Sequence, residues 1–188
     1  MADLGRRPIT ILEIDLPYCS RTYGVAPCAA VLGTTGEAKC FNARSGCQDP
    51  ANYDETTKTV SYVTNQDGIP DVPGVFPALK SVTTRPTQIN LSGIDPRSTA
   101  LGVRARVTAV IEDFADADTW LDKYQSERVS GAALASGIGY QPIERGTHLR
   151  RLMSRFPYYV GLRERVRRGY EGDDPAAMPT EHYVASEI

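Results

Sequence analysis

The chain has 188 residues, of which 41% are hydrophobic and 23% are charged, and its formal net charge is −2. This composition is typical of one globular domain, or of two small ones, and not of a disordered chain. The slightly negative charge argues against a general nucleic-acid binder, and no stretch approaches the ~18 consecutive apolar residues that would cross a membrane.

Alternating apolar and polar residues predict two strands in the first part of the chain. Ile9–Leu16 is rich in isoleucine and is predicted to end at Pro17, and Thr57–Thr64 alternates in the same way. The segment between these strands carries several glycines and prolines and is predicted to be mainly loop. Asn65–Pro77 is predicted as a second loop.

Gly102–Phe114 has the strongest strand pattern in the chain, with one apolar face. Val110 interrupts the polar face, which suggests that part of that face is covered. Gln125–Gly139 is rich in small residues and is predicted as loop. Further strand-like segments are Ala78–Thr84, Thr87–Leu91, Tyr158–Tyr170 and His182–Ile188, the last two forming a hairpin.

Two short helices are predicted in the second half. Asp116–Tyr124 begins with acids and is predicted as a helix capped by Asp116. His148–Arg155 is predicted as a helix capped by Thr147, with Leu149 and Met153 on its apolar face.

All four cysteines of the chain are clustered, with the spacing C-x8-C-x11-C-x6-C. Cysteines that only fill a core would be scattered, so the cluster indicates that four sulfurs act together. Two disulfides, a zinc site, an iron–sulfur cluster and four uncoupled thiols are all possible. The cysteines are Cys19, Cys28, Cys40 and Cys47.

The four alternatives differ in what they require. Disulfides need an oxidising compartment, and Met1–Pro17 lacks the apolar core of a signal peptide. Zinc sites usually contain C-x2-C or C-x4-C pairs, whereas a [4Fe–4S] cluster is larger and suits wider spacing. The spacing therefore favours iron–sulfur and leaves the other three interpretations open.

The last third of the chain contains a basic segment. Arg163, Arg165 and Arg167 alternate on one face of a predicted strand and are too many to be neutralised within a single domain of this size. Asp173 and Asp174, or acids of another subunit, are their expected partners. Because arginine also favours protein interfaces and acids are interleaved with this segment, a protein interface is favoured over nucleic-acid binding.

Catalytic motifs are missing from the sequence. It has no glycine-rich phosphate loop, no HExxH and no GxSxG. His148 and His182 are predicted to be structural or surface residues. The acids near the strongest strand lack calcium-loop spacing and are predicted to be a solvated strand end; they are Glu112, Asp113, Asp116 and Asp118. The chain is not expected to be an enzyme.

The stretch CSRTYGVAPC…KCFNARSGCQDPANYD resembles the cysteine segment of tail tip hub proteins of long non-contractile-tailed bacteriophages and gene transfer agents, a family that includes the L-type protein of phage lambda. In that family the first two cysteines lie nine positions apart and the last two lie seven apart, as they do here. LGVRARVTAVIEDFADADTWLDKY and GTHLRRLMSRFPYY…RVRRGYEGDD also resemble hub proteins of phages that infect alphaproteobacteria.

The resemblance implies that a [4Fe–4S] cluster is held by Cys19, Cys28, Cys40 and Cys47. It also implies a structural component of the tail tip, or baseplate, of a virion assembled in the host cytoplasm. The chain is expected to assemble with further copies of itself into a ring, expected to be a trimer. The other expected partners are the distal tail protein, the central tail fibre, and DNA, which would contact the ring transiently as it passes through the lumen. Such relatives continue beyond a strand like HYVASEI, so this chain is expected to be a fragment or a shorter form.

The expected fold is β-dominated, with antiparallel sheets forming a tail-tube-like hub body, short helices and a loop-rich four-cysteine insertion. Residues 1–77 are expected to hold the first strand, the cysteine segment and a hairpin, and residues 78–188 a β-rich hub domain, either separate from the first part or continuous with it. The cluster would crosslink loops 17–53, which have little core of their own. The alternatives are an iron–sulfur electron-transfer protein and a zinc-crosslinked interaction domain.

Overall fold

The computed structural model describes residues 5–31, 39–65, 69, 72–89, 102–126 and 142–187. Strands dominate these ranges, and a five-stranded sheet has the order β3-β2-β1-β8-β9. The strands are β1 Pro8–Cys19, β2 Glu55–Val63, β3 Val75–Phe76, β4 Leu79–Arg85, β5 Gln88–Ile89, β6 Gly102–Val103, β7 Arg106–Ile111, β8 Arg163–Tyr170 and β9 Thr180–Val184. Helix α1 is His148–Arg155. Short 3₁₀ turns are Arg44–Gly46, Pro50–Asn52, Pro142–Arg145 and Pro175–Ala177.

Strand β1 is the centre of the main sheet because it pairs antiparallel with β2 on one side and with β8 on the other. Leu12, Ile14 and Leu16 alternate along it and are each at most 4% exposed. They pack with Val60 of β2 and Val166 of β8, both fully buried. Each such side chain contributes on the order of 1.5–3 kcal/mol by leaving water, so this face is the principal core of the protein.

The predicted strand Ile9–Leu16 is confirmed, but it does not end at Pro17. Strand β1 continues to Cys19, and Pro17 is paired with Thr57 of β2. The pairing with β8 stops at Ile14, so beyond that residue β1 is paired on one side only. A strand with a free edge tolerates proline, which explains why the strand extends beyond Pro17. The second predicted strand is confirmed as β2.

The predicted strand Gly102–Phe114 is divided into two. Strand β6 pairs with β5, whereas β7 pairs with β4. The division falls at Ala105, whose backbone N–H donates to the hydroxyl of Thr87 (3.1 Å). The Ala105 N–H therefore bonds to a side chain and not to the backbone of a neighbouring strand, and strand pairing is interrupted between β6 and β7.

The β4–β7 ribbon covers the core side of the main sheet. Val107, Ala109 and Ile111 pack against the core, as the alternation predicted. The expectation that Val110 is covered is wrong, since its side chain is 51% exposed. A two-stranded ribbon has one face on the core, and Val110 lies on the opposite, solvent-facing side.

The helix predicted at Asp116–Tyr124 is wrong, and the segment begins with turns. The Asp116 carboxylate accepts hydrogen bonds from the backbone N–H of Asp118 (2.9 Å) and from Nε1 of Trp120 (3.2 Å). Asp118 has a positive φ of 62°, which no right-handed helix allows. Local contacts from an aspartate side chain thus compete successfully with helix formation.

Helix α1 is confirmed with the predicted bounds and with Thr147 at its N-cap, although the Thr147 side chain makes no capping hydrogen bond. The predicted apolar face is confirmed for Leu149, which packs against the core, and wrong for Met153, which is 37% exposed. Leu152, which the pattern did not select, is 7% exposed. The buried side also includes His148 and Arg155, which a pattern of apolar residues cannot identify.

The predicted C-terminal hairpin is confirmed as β8 and β9. At Gly169 of β8, an added Cβ would lie 2.7 Å from Cγ of Met178, so a larger residue would require the Met178 side chain to move. Met178 reaches over this position into a second small core, whose other members are Ile9, Ile11, Val63 and Ile69. The glycine thus lets the Met178 side chain lie directly against the backbone of β8.

The β-dominated fold class is confirmed, with antiparallel pairing except between β2 and β3, which are parallel. Because β1 pairs with β8, residues of both predicted parts, 1–77 and 78–188, share one sheet; the division itself and the tail-tube likeness stay predictions. Of the loop predicted at Gln125–Gly139, the structure describes Gln125 and Ser126, which are helical and not loop; the rest, and the end of Thr87–Leu91, lie outside the described residues. Within the described ranges, no helix has the length and apolar character needed to cross a membrane.

Candidate metal centre

The four cysteines lie where β1 ends and in the loops that follow. Cys19 is the last residue of β1 and is 9% exposed. The backbone N–H of Cys28 closes a turn by donating to Val25 O (2.9 Å), and that of Cys47 donates to Arg44 O (3.2 Å). Tight turns therefore position the backbone at two of the three loop cysteines.

One cavity is lined by all four cysteines, and its empty space, including the open mouth, is about 370 Å³. The four form no disulfide. The remaining lining residues are Arg21, Tyr23, Ala30, Asn42, Ala43, Gln48, Asp49, Asn52 and Tyr53. The fold thus brings together the four positions that their clustering singled out.

Asn42 attaches the third cysteine's loop to the end of β1. Its carbonyl accepts the backbone N–H of Cys19 (2.8 Å), and its Nδ2 donates to Cys19 O (3.4 Å). Asn42 is 2% exposed and has a positive φ of 56°, a conformation that asparagine tolerates better than most residues. Sequence analysis missed this residue because an asparagine in a loop carries no distinctive signal.

Two further contacts join the loops that carry the other cysteines. Asp49 accepts the backbone N–H of Ala29 (2.7 Å), which ties the Cys28 turn to the segment after Cys47. The hydroxyl of Tyr23 donates to Gln48 Oε1 (3.0 Å). The walls of the cavity are therefore held by hydrogen bonds rather than by apolar packing.

Burial raises the pKa of the Cys40 thiol, the backbone N–H of Asn42 opposes that rise, and the other three cysteines add to it. Burial likewise raises the pKa of Cys47, against a hydrogen bond from the backbone of Asp49. The cysteines influence one another because they lie close together. Thiolates rather than thiols ligate metals, so metal binding at this cavity would release protons.

Four thiols are a ligand set that both structural zinc and iron–sulfur clusters use. Among the lining residues there is no histidine and one carboxylate, Asp49. Across the described ranges, no group of three or more His, Cys, Asp or Glu side chains is arranged as a binding site for a metal ion. The fit to a metal group therefore rests on the donor atoms and on the cavity they share.

The three arginines predicted at an interface lie on β8, and two of them have partners within the chain. Arg165 donates to Glu13 (2.6 Å) and to Asp15 (2.7 Å), both on β1. Nε of Arg167 lies 3.1 Å from Glu13 Oε1. The premise that these arginines are too many to be neutralised within the chain is thus wrong for Arg165 and Arg167. Arg163 is exposed.

The acids expected to pair with these arginines have other roles. Asp173 pairs with Arg6 and accepts the backbone N–H of Tyr170 (2.9 Å). Asp174 caps the turn that follows by accepting from Ala176 N (2.9 Å). Sequence proximity suggested these acids, but the partners come from β1, which only the sheet order places beside β8.

His148 lies in a buried hydrogen-bonded network, and its side chain is 2% exposed. Its Nδ1 lies 2.9 Å from the Asp116 carboxylate and its Nε2 lies 2.9 Å from the hydroxyl of Tyr62. The ring stacks on Phe114 with 4.5 Å between centroids. Burial raises the pKa of Asp116, but hydrogen bonds from His148 and from neighbouring donors outweigh it, so the pKa lies below its usual value. Sequence analysis could not find this network because Tyr62 and His148 lie far apart in the chain.

Three comparisons with known proteins were without a match. No family model matches the chain. No curated protein and no solved structure matches it either. The cysteines, the cavity they line and the fold are therefore the features that bear on function.

Proposed function

We propose that the protein is a structural component of a bacteriophage or gene transfer agent tail tip hub, crosslinked by an iron–sulfur cluster. The cluster's ligands would be the four cysteines defined above. The observation that carries the proposal is that these cysteines, clustered in sequence, line one cavity at the end of the central strand. The resemblance of the cysteine stretch to hub proteins supplies the biological setting.

The cluster's role would be to hold the cysteine-rich loops in place. Between β1 and β2, the hydrophobic side chains that the described residues bury are Ala30 and Ala43. Such small side chains contribute little by leaving water, since burial energy scales with apolar area. A bound cluster would supply four covalent attachment points, and its binding free energy would add directly to the stability of the fold.

Assembly into a ring, expected to be a trimer, is part of the same proposal. Closed rings place identical patches of each copy in contact with complementary patches of the next. Arg163 is the candidate interface arginine that is exposed, whereas Arg165 and Arg167 are engaged with β1. The distal tail protein and the central tail fibre would contact the two ends of such a ring, and DNA would pass through it.

The decisive experiment is metal analysis of protein purified without oxygen. An iron–sulfur protein is brown, absorbs broadly near ~400 nm, and contains about four irons per chain when the cluster is cubane-type. A colourless sample with about one zinc per chain would show that the crosslink is a zinc ion and not an iron–sulfur cluster. Two disulfides mapped by mass spectrometry would exclude both metal groups.

The same sample separates a crosslink from an electron carrier. A crosslinking cluster should resist reversible one-electron reduction at accessible potentials, whereas an electron carrier should undergo it. Sedimentation of the loaded protein then tests the ring. A chain that stays monomeric at high concentration would contradict the hub proposal even if iron is present.

A further inference from the structure

Two tyrosines line the cavity of the four cysteines, and their hydroxyls differ. The hydroxyl of Tyr23 donates to Gln48 Oε1 (3.0 Å). The hydroxyl of Tyr53 is buried and has no hydrogen-bond partner among the described residues. A buried donor without an acceptor is costly, so Tyr53 favours any bound group that brings an acceptor into the cavity.

The fold holds Tyr53 firmly beside the cavity. Its backbone N–H closes the 3₁₀ turn Pro50–Asn52. Two residues later β2 begins at Glu55, which is paired with Cys19 of β1. The guanidinium of Arg44 lies over the tyrosine ring, with 5.6 Å to the centroid. Both the backbone and the ring are therefore positioned before any group binds.

Electrostatic effects place the Tyr53 hydroxyl near two of the four thiols. Burial, with smaller effects from Glu55, Cys19 and Cys47, raises the pKa of Tyr53 to about 12. Cys19 and Cys47 have this effect because their sulfurs lie close to the hydroxyl. A phenol keeps its proton at neutral pH, so this hydroxyl is available as a donor on the Cys19 and Cys47 side of the cavity.

Tyr23 lies on the other side of the cavity. Its pKa is raised by burial and then by Cys40 and Cys28. Each tyrosine is thus associated with a different pair of cysteines, and the hydroxyl of Tyr23 is already engaged with Gln48.

Two other lining residues have a buried polar atom without a hydrogen-bond partner, and neither is an equivalent donor. Nε of Arg21 lies 3.5 Å from the Asp54 carboxylate, which neutralises its charge. Oδ1 of Asn42 is an acceptor and has no proton to donate. Among the described lining residues, Tyr53 therefore combines a free proton with a neutral, buried position.

Metal-bound sulfur is the acceptor that fits this donor. Thiolates bound to a metal, and the sulfides of an iron–sulfur cluster, keep lone pairs and negative charge that accept hydrogen bonds. Such contacts orient the ligands and strengthen metal binding.

We propose that the Tyr53 hydroxyl donates a hydrogen bond to a sulfur of the metal group held by the four cysteines, on the side of Cys19 and Cys47, and thereby slows loss of that group. The inference rests on the metal centre of the proposed function but on no property of a virion. It applies equally to an iron–sulfur cluster and to zinc, because both present metal-bound sulfur.

Metal release from the full chain, purified without oxygen, tests the role of Tyr53. The metal content of the unaltered chain is measured first, and the rate of release to excess EDTA follows. Tyr53→Phe keeps the ring and all four ligands, so it should bind the same amount of metal and release it roughly tenfold faster. Tyr23→Phe removes the hydroxyl that is bonded to Gln48 and should release metal within about twofold of the unaltered rate.

The sulfur-to-metal charge-transfer absorption separates a hydrogen bond to sulfur from a looser loop. A hydrogen bond stabilises the sulfur lone pairs, so its loss in Tyr53→Phe should move this absorption to longer wavelength, whereas Tyr23→Phe should leave it in place. Cobalt substituted for zinc supplies the absorption where the metal is zinc.

The outcomes distinguish this inference from the proposed function. Iron in the unaltered chain with an unmoved absorption in Tyr53→Phe would overturn the role of Tyr53 and leave the cluster standing. Equal effects of the two variants would likewise assign the change to the loop and overturn it. Zinc with the expected shift would support Tyr53 and remove the iron–sulfur cluster, and a chain that binds neither metal would overturn both.

Discussion

The main sheet and the cysteine-rich segment are held together by different forces. In the sheet, β1 pairs with β2 from Ile11 to Cys19 and with β8 from Pro8 to Ile14, and it buries apolar side chains on both faces. Between β1 and β2, turns, hydrogen bonds and four thiols around a cavity replace that packing. Burial of apolar side chains stabilises the first region, whereas a bound metal group would stabilise the second.

A single chain can therefore contain regions with separate sources of stability. The two regions meet at Cys19, which belongs to both the central strand and the cavity wall. A substitution that disrupts the sheet should therefore unfold both regions. A substitution that disrupts the cavity should unfold only the cysteine-rich segment. The following predictions test that asymmetry, beginning with the largest effect.

Val166→Asp should abolish folding of the whole chain. Val166 is fully buried at the centre of β8, so the variant places an unpaired carboxylate in the core and costs more than about 4–5 kcal/mol. Circular dichroism should show loss of strand signal. Val160→Asp is the control, since Val160 is 65% exposed and the change there should stay within about 0.5 kcal/mol. Similar behaviour of the two variants would mean that the sheet is not the principal core.

Cys47→Ser should affect the cysteine-rich segment and spare the sheet. If the cavity holds a cluster, the variant loses iron, and amide hydrogen exchange accelerates between residues 20 and 54 while β1 and β8 stay protected. Ala29→Ser adds a hydroxyl to the same segment at an exposed position that does not line the cavity, and it should retain iron and protection. Accelerated exchange throughout the chain would show that the two regions are not separate.

Arg165→Gln should lower the free energy of unfolding by about 1–3 kcal/mol, because two mostly buried carboxylates lose their shared cation: Glu13 keeps only Arg167 and Asp15 keeps only the hydroxyl of Thr59. Urea denaturation measures this change. Arg163→Gln, at the exposed end of the same strand, should change stability by less than about 0.5 kcal/mol. In the proposed ring it should instead weaken self-association. Equal destabilisation by both variants would contradict the pairing with β1.

The smallest expected effect is on acid stability. Burial raises the pKa of Asp15, but hydrogen bonds from Arg165 and Thr59 outweigh it and bring the pKa below its ordinary value of 3.8. An acid whose pKa is lowered by folding contributes stability that is complete above about pH 5 and is lost as the pH falls through the folded pKa. Asp15→Asn should therefore flatten the dependence of stability on pH below about pH 5, by less than about 1 kcal/mol. The prediction would be refuted if the slope of stability against pH, measured in acid titrations monitored by fluorescence, were the same for Asp15→Asn as for the unaltered chain.

Local pattern was sufficient for the strands β1, β2, β7, β8 and β9 and for helix α1. Alternation of side chains along a strand and the 3.6-residue period of a helix are local properties, so a short stretch of sequence reveals them. The clustering of the cysteines also identified, without any structure, the residues that line one cavity.

Side-chain contacts, local and long-range, decided the rest. The helix predicted at Asp116–Tyr124 failed because the Asp116 carboxylate accepts local hydrogen bonds from Asp118 N and Trp120 and also contacts His148, which lies on another element. The partners expected for Arg165 failed because β1, and not the neighbouring loop, lies beside β8.

Side-chain alternation and cysteine spacing predict a β-dominated chain with a compact group of cysteines. Three features depend on tertiary contacts instead: Pro17 lies within a strand, Arg155 of α1 is buried against Phe41, and a cleft forms between them and Asp118. Burial and charge pairing depend on which elements become neighbours. That choice depends on the packing of the whole chain, which no local window of residues contains.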